Sequence, residues 1–247
     1  MPVDYLASLA APERSARSNL HLGAGLAFVA GALNAGGFLA VGQYTSHMTG
    51  MVSTAADNIA LGQWVVVIGA VLAFAAFLCG AMCTALLVNF SRRHQPRWAY
   101  LPTLGLEALL LLGFGVIGSQ LLPHQIERVS LTALLLCFTM GLQNALVTKI
   151  SNAEIRTTHL TGLVTDFGIE LGRLLYWNRS PGRPGEPKVR ANRRRLRIHA
   201  TMIGAFFGGG ISGALAFKHL GFVATVPLAV GLVLIAMASL LRSTQTD

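Results

Sequence analysis

The sequence predicts an all-α polytopic membrane protein: six transmembrane helices plus two re-entrant or interfacial helices, arranged as an inverted repeat of two three-span halves. Three observations lead there. The 247 residues are 53% hydrophobic and only 12% charged, against about 25% charged in a soluble domain, so most of the surface cannot face water. Six apolar segments are long enough for the ~20 helical residues that cross about 30 Å of hydrocarbon. One short stretch, Thr45-Ser46-His47-Met48-Thr49-Gly50, returns as Thr157-Thr158-His159-Leu160-Thr161-Gly162.

Residues 1–19 carry Pro2, Pro12, Glu13, Arg14 and Arg17 with no continuous apolar run. They read as a cytoplasmic tail without a cleaved signal peptide, followed by a single membrane domain over 20–247. The spans fall at about 20–43, 64–90, 99–119, 129–149, 199–218 and 222–241. Trp64, Trp98 and Tyr100 stand at segment ends, where interfacial aromatic anchors belong. Ala76/Gly80/Thr84, Gly204/Gly208/Ser212 and Gly105 offer small-residue faces for close helix contact. Cys79, Cys83 and Cys137 lie in apolar segments without His or carboxylate neighbours and read as small core residues rather than metal ligands.

Two segments remain, 46–62 and 152–176, and the basic residues decide how they lie. Arg92, Arg93 and Arg97 mark one cytoplasmic loop, and Arg179 through Arg197 mark another, the basic loop 177–198. Spans 99–119 and 129–149 go out and return between them, so 152–176 begins and ends inside. The same rule puts 46–62 on the outer side and both termini in the cytoplasm. The formal charge of +9 then belongs to cytoplasmic loops and lipid headgroups, not to nucleic acid.

Each half therefore holds three spans and one non-crossing element: repeat 1 at about 20–119 and repeat 2 at about 129–241. Three is odd, so the second half enters the membrane upside down, a plan shared by secondary transporters. Asn34-Ala35 and Asn144-Ala145 precede the two histidine motifs, and Leu61-Gly62 and Leu171-Gly172 close them. Gly31-Ala-Leu-Asn-Ala-Gly-Gly-Phe-Leu-Ala40, with Ser46-His-Met-Thr-Gly50, resembles the YoaK-like bacterial membrane proteins, a family of unknown function. The resemblance implies six spans and an inner-membrane location, and it supplies no substrate.

As helices, 152–176 gathers Arg156, His159, Asp166, Glu170 and Arg173 near one stripe, facing Leu160, Leu163, Phe167, Leu171 and Leu174. The shorter 46–62 gathers His47, Thr54, Asp57 and Asn58. One reading of 152–176 is an amphipathic helix with its charges in water. For 46–62, with one carboxylate among Ala, Ile, Met and Val, burial is expected, and buried ionisable groups in a membrane mark function by default. Thr49-Gly50 and Thr161-Gly162 suit a backbone break or a close approach, Thr satisfying the freed carbonyls. Asn34 and Asn144 either bond between helices or line one polar pathway. The expected substrate or pathway set is Asn34, His47, Thr49, Gly50, Asp57, Asn144, His159, Thr161, Gly162 and Asp166, converging near the midplane.

Glu107 is the single acid deep inside a span, where a carboxylate costs about 2.5–3.5 kcal/mol on insertion scales. It reads as a proton or cation site. Aligning Pro102 with Pro227 makes Leu232 its counterpart in the other half. No Gly-x-Ser-x-Gly, His-Glu-x-x-His or P-loop motif occurs, so neither an enzyme nor a cofactor is expected. The function expected is a small-solute secondary transporter or permease, proton-coupled through Glu107. The alternative is a non-transporting scaffold or sensor whose basic loop binds a partner or anionic lipid. The partners expected are the bilayer and a small molecule or ion of unnamed chemistry, with homo-oligomerisation left open.

Overall fold

The computed structural model describes residues 16–119, 126–150, 159–176 and 188–243. The tail 1–15, the residues Arg156, Thr157 and Thr158, and Arg179 and Arg183 of the basic loop lie outside the described residues. Within them every regular element is a helix: α1 Ala16–Val41, α2 Met48–Ala60, α3 Trp64–His94, α4 Leu101–Ser119, α5 Ile126–Ile150, α6 Leu160–Leu175, α7 Arg193–Leu220 and α8 Thr225–Ser243. Two single 3-10 turns, Pro96–Trp98 and Gly221–Ala224, lead into α4 and α8.

Five stretches are long and apolar enough to cross a membrane: Leu20–Val41, Trp64–His94, Leu101–Ser119, Leu131–Ile150 and Arg193–Leu234. The last is 42 residues long and runs through the Gly221–Ala224 turn into α8. The short helices α2 and α6, of 13 and 16 residues, are not among them. At 1.5 Å per residue α3 is about 46 Å long, longer than about 30 Å of hydrocarbon, and its last turn carries Arg92 and Arg93.

Four copies of Phe-x-x-Gly build the core. They are Phe28 with Gly31 on α1, Phe77 with Gly80 on α3, Phe138 with Gly141 on α5, and Phe206 with Gly209 on α7. Any Cβ on Gly31 would collide with the Phe206 carbonyl oxygen, and any on Gly209 with that of Phe28. The α3–α5 pair repeats this, Gly80 lying against the carbonyl of Phe138 and Gly141 against that of Phe77. Only glycine lets two backbones come so close, where Cα–H···O contacts and dispersion replace the absent hydrophobic effect. These are the two most extensive helix pairings in the molecule.

The register of the contacts gives direction. Gly209 meets Phe28, Gly213 meets Ala32, and Gly36 meets the ring of Phe217. Both chains advance together, so α1 and α7 run parallel. On the other pair, Phe77 faces Gly141, Thr84 Oγ1 donates to the Leu142 carbonyl at 2.8 Å, and Lys149 Nζ donates to Asn89 Oδ1 at 3.2 Å. Thus α3 and α5 are parallel too. By contrast the end of α4 meets the start of α8, Gly115 beside Thr225 and Gly118 under the ring of Phe222, which makes that pair antiparallel.

Some expectations change here. The Gly204/Gly208/Ser212 face and Gly105 do not pack against helices: Gly204, Gly208 and Gly105 meet nothing within 4 Å among the described residues. α7 carries two small-residue stripes side by side, and the one ending in Gly209 and Gly213 faces α1. Ala76/Gly80/Thr84 does lie against α5. Cys79 is exposed, not core, although Cys137 is buried. The span expected to begin at 199 begins at Arg193, because the Asn192 side chain accepts from the N–H groups of Arg194 and Arg195, both at 3.1 Å, an N-cap that starts the helix early.

Candidate functional site

Each short helix lies against the start of a long one, α2 against α3 and α6 against α7, and each forms a groove. The first groove, about 420 Å³, is walled by His47, Gly50 and Thr54 on one side and Val66, Gly69 and Ala70 on the other. The second, about 400 Å³, sets Asp166, Glu170 and Arg173 against Arg195, Ile198 and His199. The equivalence is positional. Val66, Gly69 and Ala70 stand as far before the Phe-x-x-Gly of α3 as Arg195, Ile198 and His199 stand before that of α7, and Thr54 and Asp166 each lie seven residues after their histidine.

In the first groove Gly50 has a definite task. A Cβ there would strike the His47 ring, which folds across the first turn of α2. Ser46 Oγ donates to Asn34 Oδ1 at 2.8 Å, tying the motif back to α1. Gly42, with φ +76°, ends α1 and turns the chain, and Phe38 stacks on Tyr44 at 4.6 Å between ring centroids. The second motif differs: Gly162 meets nothing within 4 Å among the described residues.

The second groove is held by Glu170, which is buried although its helix is largely exposed. Its Oε1 accepts from Arg173 at 2.8 Å and its Oε2 from the Asn192 N–H at 2.6 Å. The Asn192 bond, with Arg173 and Arg195 adding to it, holds the carboxyl below the usual carboxylate range against the opposing effect of burial. An arginine-rich first turn is unfavourable beside the positive end of the α7 dipole, and this carboxylate offsets it. His199 is 8% exposed, and its Nδ1 has no hydrogen-bond partner.

Glu107 lies on α4 with 0% exposure, and neither carboxyl oxygen has a hydrogen-bond partner. Gln143 of α5 lies close enough to interact with it. The Gln143 Oε1 is likewise unpartnered, while its Nε2 donates to the Leu26 carbonyl of α1 at 3.4 Å. At the positions matched by aligning Pro102 with Pro227 and Asn34 with Asn144 stand leucines, Leu232 for Glu107 and Leu33 for Gln143, and each is fully buried.

The expected convergence of both histidine elements on one midplane site is not what the structure builds. α2 follows the end of α1 and α6 packs on the start of α7; because α1 and α7 are parallel, the two elements sit at opposite ends of the bundle. Nor is 46–62 buried: His47, Thr49 and Asp57 are exposed and Met51 alone of α2 is buried, since α2 packs chiefly on one helix. His159, Thr161, Gly162 and Asp166 are exposed as well. Thr49-Gly50 and Thr161-Gly162 do not break the chain but form the first turns of α2 and α6. Asn34 and Asn144 are half-buried and both are bonded.

Residues 22–238, which take in both grooves and the Glu107–Gln143 pair, match the family described as Protein of unknown function (DUF1275). The chain belongs to that family. Among its relatives, the UPF0700 transmembrane protein YoaK of Bacillus subtilis (strain 168) is 27% identical over 153 residues, 61% of this chain and 67% of that protein. No solved structure matches. The resemblance read from Gly31–Ala40 and Ser46–Gly50 therefore holds, and this DUF1275 chain is a membrane protein.

Sequence reasoning missed Glu170, Asn192, Arg195 and His199 as a set. The signal was present for Glu170: it stands seven residues after Leu163, two helical turns along the buried face, at the edge of the stripe that also carries Asp166. The Phe-x-x-Gly copies were legible too, three residues before the Asn34 and Asn144 positions and at matching places in α3 and α7.

Proposed function

We propose that this DUF1275 protein is a small-solute secondary transporter or permease of the bacterial inner membrane, proton-coupled through Glu107. The observation that carries the proposal is the Glu107–Gln143 pair. A carboxyl group fully enclosed between helices, with both oxygens unpartnered, is costly in a membrane bundle and is retained there for ion or solute work. The two grooves lie at opposite ends of the bundle with this pair on helices between them. That arrangement suits alternating access, one groove facing each side.

The same proposal includes six crossings in two inverted halves with both termini in the cytoplasm. Exchanging α1 with α5, α2 with α6, α3 with α7 and α4 with α8 maps the pair α1–α7 onto α5–α3 and leaves α4–α8 in place. Parallel pairs α1–α7 and α3–α5 are what six crossings with odd halves require. Arg92, Arg93, Lys149 and the start of α7 fall at one end, which the positive-inside rule makes cytoplasmic.

Uptake by purified protein in liposomes, with and without an inward proton gradient, tests this directly. Glu107→Gln keeps shape and removes the exchangeable charge, so it is expected to abolish pH-driven accumulation while downhill exchange continues. Accumulation equal to the parent protein would remove Glu107 from the mechanism. Absence of any uptake, with retention of anionic lipid, would return the protein to the scaffold or sensor reading.

A further inference from the structure

We propose that the groove between α6 and α7 binds a small zwitterion, an α-amino-acid-sized solute with an ammonium, a carboxylate and an apolar substituent. This deepens the transport reading above, and names the substrate class that it leaves open.

The argument starts from which charges are already spent. Glu170 is satisfied at both oxygens, by Arg173 and by the Asn192 N–H. Two charged side chains facing the same cavity of about 400 Å³ are left without a direct contact, Asp166 on α6 and Arg195 on α7, the latter acting on Glu170 only through its field. Neither makes an ion pair with the other or, among the described residues, with any other group. Opposite charges held apart across one groove leave room for a ligand carrying both signs. An anion alone would face Asp166 across the groove, and a cation alone would face Arg195; only a bipolar solute satisfies both walls.

The rest of the lining fits that ligand. Arg195 stands in the first turn of α7, where its planar donor fork and the positive end of the helix dipole favour a carboxylate. His199, one turn further on, lines the groove with its Nδ1 unpartnered. Ile169 and Ile198 supply an apolar wall between the charges. The first groove is the built-in contrast: Thr54 stands in the place of Asp166, Val66 in that of Arg195 and Ala70 in that of His199, so it has no charge pair to offer.

Equilibrium binding to the full chain in detergent tests this without transport. The probes are L-leucine, its decarboxylated counterpart isoamylamine, its deaminated counterpart isocaproate, and inorganic phosphate. Leucine is expected to bind about tenfold more tightly than either single-charge analogue, since each charge-assisted contact is worth on the order of a tenfold change. Arg195→Gln is expected to bring leucine down to the level of isoamylamine and to leave isoamylamine unchanged. Asp166→Asn is expected to bring leucine down to the level of isocaproate and to leave isocaproate unchanged. The unchanged analogue in each variant shows that the groove is still folded. Phosphate or isocaproate binding as tightly as leucine overturns the inference in favour of a plain anion site. Failure of leucine to bind, or binding that ignores both substitutions, also overturns it. Leucine binding without uptake in liposomes would sink the transport reading and leave the site standing; uptake without leucine binding at the groove would do the reverse.

Discussion

The two grooves are lined at matching distances before a Phe-x-x-Gly motif, yet one is walled on its long helix by Val66, Gly69 and Ala70 and the other by Arg195, Ile198 and His199. The backbone plan is common: a Phe-x-x-Gly helix, a short helix opened by a histidine, and a second Phe-x-x-Gly helix. What differs most is the side chains that line the grooves. The contrast recurs in the core, where Glu107 and Gln143 answer to Leu232 and Leu33. The close glycine–carbonyl contacts recur in both pairs, whereas the charged lining of the second groove has no counterpart in the first. Similar glycine-based helix packing can therefore support two ends of different chemistry.

Breaking the shared part should have the largest effect. Gly80→Val and Gly209→Val each drive a side chain into a backbone carbonyl on a parallel partner, which no rotamer change relieves. Each is expected to cost about 3 kcal/mol or to prevent assembly, read as thermal unfolding in detergent. Gly204→Ala, facing open space, is the control and should gain up to about 1 kcal/mol from helix propensity. Equal loss in all three would refute the glycine packing as the fold's basis.

The histidine motifs give a smaller, unequal effect. Gly50→Leu displaces the His47 ring and is expected to cost about 1 kcal/mol. Gly162→Leu meets no neighbour within 4 Å among the described residues and is expected to be neutral or slightly stabilising. Matching losses would show that the second motif is packed as tightly as the first.

The smallest effect is confined to acid pH and to the second half. Glu170 is held below its ordinary value of 4.5 in the folded protein. A depressed carboxylate contributes stability that is fully present above the unfolded value and is lost as pH falls through the folded one. The difference in stability between the parent and Glu170→Gln is therefore expected to be constant near neutrality and to shrink below pH 4.5. Thermal melts across that window measure it. A difference that persists unchanged into strong acid would mean that Glu170 acts through its shape and not its charge.

The sequence by itself determined the membrane class, the helical segments and the paired histidine motifs. Segment length and apolarity are local quantities, and hydrocarbon tolerates only internally bonded backbone, so helices follow almost without tertiary information. Their boundaries moved where a local cap decided, as Asn192 did for α7. Only the tertiary structure decided which face of each helix is buried and where the motifs meet. Glu170 and Asp166 stand one turn apart on the same short helix, yet Glu170 is buried and bonded to Arg173 and the Asn192 N–H while Asp166 is exposed, a difference that depends on where the start of α7 meets α6. His47 and His159 share a motif and sit at opposite ends, because parallel packing of α1 with α7 is set by glycine contacts between residues more than a hundred positions apart. Those contacts depend on which of two adjacent small-residue stripes finds a partner, Gly209 and Gly213 rather than Gly204 and Gly208, and one-dimensional spacing is the same for both.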